Sequence, residues 1–294
     1  MKKKLKKVVK NFLKVLKRPE MSILPGHLAF YFLMSLVPII ALAALFASKL
    51  TINLDLLSFV NDVIPASFMG IINSLIESAT SYNNLLLLLF FYILLGSKGP
   101  AAIVAASDTL YGIKQRGYLE TKIKSMIMTM IMVVLILFIV IIPVFGDSLI
   151  KLLIKNFSFF QGLTQYAFLY EIIKIVTSFF VIYINVKLLY TMAPDKDIKS
   201  RNTTFGAMFT TLSWMLATEC FSFYITKIAK YNLLYGNFAN VLVLLLWVYL
   251  LAFLFVVGIA INVNLYEDKE KEIGSDNSET KATNDDVKGK EKIV

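Results

Sequence analysis

Long apolar runs alternate along this chain with short polar intervals that carry lysine, and the run lengths predict its elements. Residues 2–18, KKKLKKVVKNFLKVLKR, place Leu5, Val8, Val9, Phe12, Leu13 and Leu16 among lysines. That i, i+3, i+4, i+7 spacing predicts an amphipathic helix. Pro19 and then Pro25-Gly26 interrupt it. From His27 to Leu50 no charge occurs before Lys49. At about 1.5 Å per residue this run crosses a hydrocarbon core of about 30 Å. Pro38 in its interior predicts a kink. Residues 53–82, punctuated by Asp55, Asp62 and Glu77, are too polar to span and predict short pieces at a membrane surface.

A second run begins near Asn84, is interrupted by Gly96-Ser97-Lys98-Gly99-Pro100, and resumes to about Ala106. Further runs cover Ile123–Phe145, Phe168–Met192, Thr203–Ile228 and Phe238–Tyr266, with a polar stretch from Asp147 to Gln165. From Glu267 onward apolar residues almost vanish, which predicts disorder. The expected fold is therefore all-α and polytopic. An interfacial helix occupies residues 1–20, six transmembrane helices occupy 21–266, and a disordered cytoplasmic tail occupies 267–294.

Composition sharpens this picture. Hydrophobic residues make up 57% of the 294, and charged residues only 17%. Soluble domains sit nearer a quarter charged, so a soluble enzyme and a disordered protein are both excluded. A lone cysteine, Cys220, allows no internal disulfide, and a lone histidine, His27, allows no multi-histidine metal site. The net charge of +10 is not one patch. Lysine and arginine number 9, 1, 4, 2, 4, 2 and 6 in the successive segments before, between and after the six runs, with Lys49, Lys124, Lys187 and Lys227 near run ends counted in the adjoining segment. By the positive-inside rule that alternation places both termini in the cytoplasm. The lysine-rich helix is expected to lie in the anionic headgroup layer; a merely solvated basic flank is the alternative. Nucleic-acid binding is not expected, because nothing outside this helix supports it.

Catalytic chemistry finds no foothold. No phosphate-binding loop, HExxH, GxSxG or second histidine is present. Neither a metal nor a cofactor is expected, and the chain does not read as an enzyme. His27 reads as a helix-start residue and Cys220 as a small packing residue. Charges inside the spans say more, since each costs several kcal/mol (about 2.5–3.5 on insertion scales) unless paired or hydrated. Lys98 sits mid-run among Gly96, Gly99 and Pro100. A broken helix at mid-depth is a feature of transporter binding sites; a plain kink with a snorkelling lysine is the alternative. Glu219 falls near the same depth, and Glu171 and Lys174 share one helix face nearer the outer surface. Glu219 could pair with Lys98 or with Lys174, and the pair could serve substrate or only packing. Asn262 and Asn264 read as packing or capping amides.

Some of these residues carry a resemblance. His27-Leu-Ala-Phe-Tyr31-Phe-Leu-Met-Ser-Leu-Val-Pro38 is similar to the first-span signature of the YihY/BrkB family of bacterial membrane proteins. Gly96-Ser-Lys-Gly99 followed by Asp108-Thr-Leu-Tyr111-Gly112 resembles its second-span pattern. Tyr231-Asn232-x-x-Tyr235-Gly236, ahead of a span containing Trp247 and Tyr249, resembles its most recognisable block. Asn262-Val-Asn264 departs from it, standing where the family often has an acid and one Asn. The resemblance implies six spans in a bacterial cytoplasmic membrane. Members have carried the names ribonuclease BN and serum-resistance factor, and some are linked to export of lipid precursors. Phosphodiester hydrolysis needs a metal-bound water or a positioned acid–base pair, and the sequence offers neither. The leading expectation is a transporter or flippase-like protein whose partner is an anionic membrane lipid or lipid-linked envelope precursor. A scaffold for envelope assembly comes second and a small-ion transporter third.

Overall fold

The computed structural model describes residues 15, 17–49, 85–114, 116–135, 167–227 and 239–290. Seven α-helices occur among them: α1 (Leu24–Lys49), α2 (Leu85–Gly96), α3 (Lys98–Tyr111), α4 (118–135), α5 (Ala167–Met192), α6 (Thr204–Lys227) and α7 (Ala239–Lys290). A 3-10 turn, Pro19–Ser22, precedes α1. No strand occurs among the described residues, so the all-α expectation holds.

Among the described residues four stretches are long and apolar enough to cross a membrane: Leu24–Leu42, Leu89–Tyr111, Ile175–Met192 and Val241–Glu267. The described part of α4 carries Glu120, Lys122 and Lys124 in its first turns. Its apolar continuation lies outside the described residues. In α6 the apolar content is diluted by Thr204, Thr210, Thr211, Ser213 and Thr218. The amphipathic helix expected over residues 2–18 also falls almost wholly outside the described residues. Its end is described, and it docks on protein: Val15 is buried in the core. Pro38 is buried within α1, which runs through it as one helix. The composition of residues 267–294 leads to an expectation of disorder, whereas α7 continues to Lys290. Side chains beyond Glu267 lie outside the described set.

Helix α7 packs against α6 and α1; α1 packs in turn on α2 and α3, and α6 on α5. Phe255 of α7 is fully buried where these helices converge. Its ring meets Tyr190 of α5 at 4.6 Å, Trp214 of α6 at 5.8 Å and Phe32 of α1 at 6.1 Å. A smaller cluster joins Tyr92 of α2, Val133 of α4, and Ile39 and Leu42 of α1. The outward faces are apolar: Phe30, Phe90, Phe91, Ile127, Phe180 and Leu212 are all exposed. Such faces suit hydrocarbon, not water.

With no hydrophobic drive between helices in lipid, close packing and internal hydrogen bonds hold the bundle. Tyr190 Oη lies 2.6 Å from Thr210 Oγ1 and donates to the Phe255 carbonyl at 2.7 Å. Asn262 Oδ1 accepts the Gly206 N–H at 2.7 Å, so this amide serves packing as expected. Trp214 Nε1 donates to the Leu251 carbonyl at 2.9 Å.

Candidate functional site

Helix α2 ends at Gly96 and α3 begins at Lys98, so the expected interruption is present, with Ser97 between them. It is narrow: Ser97 N–H still bonds Ile93 O, and Ala101 N–H bonds Ser97 O, each at 3.0 Å. Pro100 has no N–H to offer the preceding turn. The two glycines serve close approach. A Cβ on Gly96 would stand 3.1 Å from Thr129 Cγ2 and 3.3 Å from Ile39 Cγ1. On Gly99 it would collide with Ser35 Oγ of α1.

Lys122 of α4 reaches into this break. Its ammonium donates to Leu94 O at 3.0 Å and Ser97 Oγ at 2.7 Å. Lys98, near the middle of the span Leu89–Tyr111, is exposed and close enough to repel Lys122. Two cations therefore share the break, and the apolar residues Leu95 and Ile123, near them in sequence, are exposed.

Of the two pairings open to Glu219, that with Lys98 is not present, and that with Lys174 involves a side chain outside the described set. Glu219 lies on the exposed face of α6, and it forms no ion pair with Lys98. Depth along a span can be counted, but direction around a helix with apolar residues on every side cannot. Cys220, expected as a packing residue, is exposed for the same reason. Glu171 and Lys174 lie on α5 with side chains outside the described set, as does the whole Tyr231–Gly236 block. His27 is exposed in the first turn of α1, as expected of a helix-start residue, with its ring 4.9 Å from Tyr31.

A second polar cluster went unrecognised in the sequence. Asp195, just past α5, has a side chain only 1% exposed. Lys124 donates to Asp195 Oδ1 at 2.7 Å and to the carbonyls of Ala193 at 2.6 Å and Pro194 at 2.8 Å. It thereby caps the C-terminus of α5, where a cation also complements the helix dipole. The Arg116 N–H donates to Asp195 Oδ2 at 3.0 Å, and Arg116 Nε stands 3.7 Å from Oδ1. Burial acts to raise the Asp195 carboxyl. The Lys124 ammonium, the Arg116 N–H and the Asp108 side chain outweigh it and hold the group below its usual range. Asp108 of α3 is fully buried and accepts the Asp195 N–H at 2.8 Å. Gly112, at φ 64°, ends α3 in the left-handed conformation that suits glycine, and Ile113 N–H returns to Asp108 O at 2.8 Å.

The same end of the bundle holds Arg18, which donates to Leu110 O, Asn264 Oδ1 and Glu267. Tyr266 packs against Tyr111, with Lys196 4.7 Å above its ring. The segment before α1, the turn after α3, the loop after α5 and the end of the last span therefore meet.

A family model, Virulence factor BrkB, matches residues 12–283. The chain belongs to the BrkB family. It is 30% identical over 251 residues to a Bacillus subtilis protein named putative ribonuclease-like protein YfkH, covering 83% of this chain and 90% of that one. A UPF0761 membrane protein of Idiomarina loihiensis is 32% identical over 119 residues, 37% of this chain and 40% of that one. Another, from Chromobacterium violaceum, is 41% identical over 64 residues, 22% of this chain and 15% of that one. No solved structure gives a significant match. In this BrkB-family chain Tyr31, Tyr111 and Trp247 pack partly buried against the main core, and Pro38 is buried. These four motif residues thus serve the packing of α1, α3 and α7.

Proposed function

We propose that this BrkB-family protein moves an anionic lipid, or a lipid-linked envelope precursor, across a bacterial cytoplasmic membrane without catalysing a reaction. The observation that carries this reading is the pair Lys98 and Lys122 at the α2–α3 break. Among the described residues neither ammonium pairs with a carboxylate, and a cation at mid-span such as Lys98 is costly unless paired or hydrated. An anionic headgroup would relieve that cost while its acyl chains lie along the exposed apolar side chains nearby. The name of the Bacillus relative raises a nuclease reading. Among the described residues no cluster of His, Cys, Asp and Glu is arranged to hold a metal; the lipid reading rests on the two cations at the break. The scaffold alternative draws on Tyr190, Thr210 and Asn262, whose polar groups are spent on packing.

Lys98 is exposed, so Lys98→Ala should leave protein abundance unchanged. A charge-assisted contact is worth about 1.5–3 kcal/mol, so lipid appearing in the outer leaflet should fall about ten- to hundredfold. Unchanged lipid exposure in that variant would favour the scaffold.

The proposal places both termini in the cytoplasm, with an even number of crossings between them. Its support is the meeting of Arg18, the α3–α4 turn, the loop after α5 and Glu267 at one end of the bundle. Cysteines introduced after Ser275 and after Asn73, in a Cys220→Ser background, should label from opposite sides. Labelling from one side would reject the topology.

A further inference from the structure

Asp108 is the only carboxylate between Glu77 and Glu120, and it sits three residues from the end of the span Leu89–Tyr111. It is fully buried. One oxygen, Oδ1, accepts the Asp195 N–H at 2.8 Å. The other, Oδ2, is buried with no hydrogen-bond partner among the described residues. A buried carboxylate oxygen in that state is costly as an anion. The neighbouring Asp195 is already committed as an anion to Lys124 and Arg116. Two adjacent carboxylates in one site do not both stay ionised readily, and Asp195 holds both cations.

We propose that Asp108 is a proton-binding site that governs docking of the loop 193–199 onto the end of α3. Protonated, Asp108 adds no second negative charge, and the loop stays seated through the Asp195 N–H. When the O–H bond of Asp108 breaks, the proton passes to water and the electron pair stays on the carboxylate. Two anions then face each other, and the loop loosens. The ligand is a proton and nothing larger.

The charged and titratable groups around the site come from each neighbouring element. The loop after α5 brings Asp195 and Lys196, the latter on the Tyr266 ring. The α3–α4 turn and α4 bring Arg116 and Lys124, with Glu120 paired to Arg116 at 3.8 Å. The last span brings Tyr266 and Glu267, the latter paired to Arg18. On α1, His27 and Tyr31 meet edge to face. Lys124 and Arg116 oppose the switch by drawing Asp195 toward themselves. The proposed step is therefore the change in charge on Asp108 alone. That this loosening serves movement of lipid rests on the transport reading above; proton binding does not.

Ile198 is buried on the docked loop and Lys199 is exposed. Ile198→Cys in a Cys220→Ser background, in nanodiscs, is labelled with a maleimide. Its rate is divided by that of Lys199→Cys, which cancels the thiol's own titration. This ratio should rise about tenfold from about pH 5 to about pH 8, the change that one unit of linkage gives. Asp108→Asn keeps the acceptor for the Asp195 N–H and mimics the protonated state, so its ratio should stay low and flat. Asp195→Asn removes the like charge and should also flatten it. Infrared spectra should show a protonated-carboxyl band in the wild type that Asp108→Asn lacks. A wild-type ratio without pH dependence, an unaltered rise in Asp108→Asn, or survival of the band would overturn the proposal. These readouts need no lipid movement. If lipid fails to move while the labelling behaves as stated, the transport reading falls and the proton site stands. Lipid movement with flat labelling rejects the proton site and leaves the transport reading.

Discussion

Alanine at Gly206 is expected to remove most of the folded protein from the membrane. A Cβ there would collide with the Gly258 carbonyl oxygen and lie 2.5 Å from both Asn262 side-chain atoms. The Gly258 oxygen belongs to the backbone of α7, so no rotamer change clears it. Overpacking of this kind costs about 1–3 kcal/mol where the site can adjust, and more where it cannot. Separating α6 from α7 would also break the Gly206 N–H bond to Asn262, leaving a buried donor without a partner at about 1–3 kcal/mol. The two together consume much of a total stability of about 5–15 kcal/mol. Gly258→Ala makes a useful contrast. Its Cβ would strike the hydroxyls of Thr210 and Tyr190, with the Gly206 oxygen at 3.1 Å. The two nearest obstacles are side-chain atoms, so Thr210→Ala with Tyr190→Phe should recover part of the loss. Asn262→Ala should recover little for Gly206→Ala, because the carbonyl remains. Membrane abundance and detergent melting temperature measure both. A Gly206→Ala protein melting within about 2 °C of the wild type would show that α6 and α7 have room to part.

What hydropathy can reveal is which segments leave water. The runs that became α1, α2–α3, α5 and α7 were legible because each is long and apolar, and the break at Gly96–Pro100 because proline and glycine mark it. The lysine counts likewise grouped the segments that meet at Arg18, Asp195 and Glu267. Rotation about a helix axis was not legible. In α6 the buried residues Gly206, Ala207, Thr210 and Thr211 are small and partly polar, whereas Leu212 and Leu216 are exposed. That inverts the soluble-protein rule, and it is why a pairing of Glu219 with Lys98 reads as possible from depth alone although Glu219 faces outward. The Asp195 cluster was hidden differently. Its contacts span 71 to 87 residues of sequence. Locally, Pro194-Asp195-Lys196-Asp197 looks like any hydrated loop. The one available signal was Asp108, a solitary carboxylate at the end of an apolar run.

Lys124→Met should be the most damaging substitution at a polar position among the described residues. Methionine preserves much of the side chain's length and apolar contact, so the loss isolates the ammonium. Three acceptors would lose their donor at once: Ala193 O, Pro194 O and Asp195 Oδ1. The Asp195 carboxylate, 1% exposed, would retain Arg116, whose guanidinium is 3.7 Å away and 54% exposed. Breaking a buried pair by removing one partner costs about 3–5 kcal/mol, and abundance should fall accordingly. Lys124→Met with Asp195→Asn removes the orphan charge and should regain part of that, but not all, because the two carbonyls still lack a donor. Acidity supplies an independent arm. The folded Asp195 carboxyl is held below the ordinary value of 3.8, so its contribution is present above that value and is lost as pH falls through the lower, folded one. Wild-type melting temperature should therefore drop on acidification below about pH 4, and Asp195→Asn should drop less. If Lys124→Met melts like the wild type, Arg116 alone suffices to hold Asp195. If the double variant is worse than Lys124→Met, the Asp195 charge stabilises the loop through Arg116 even without Lys124.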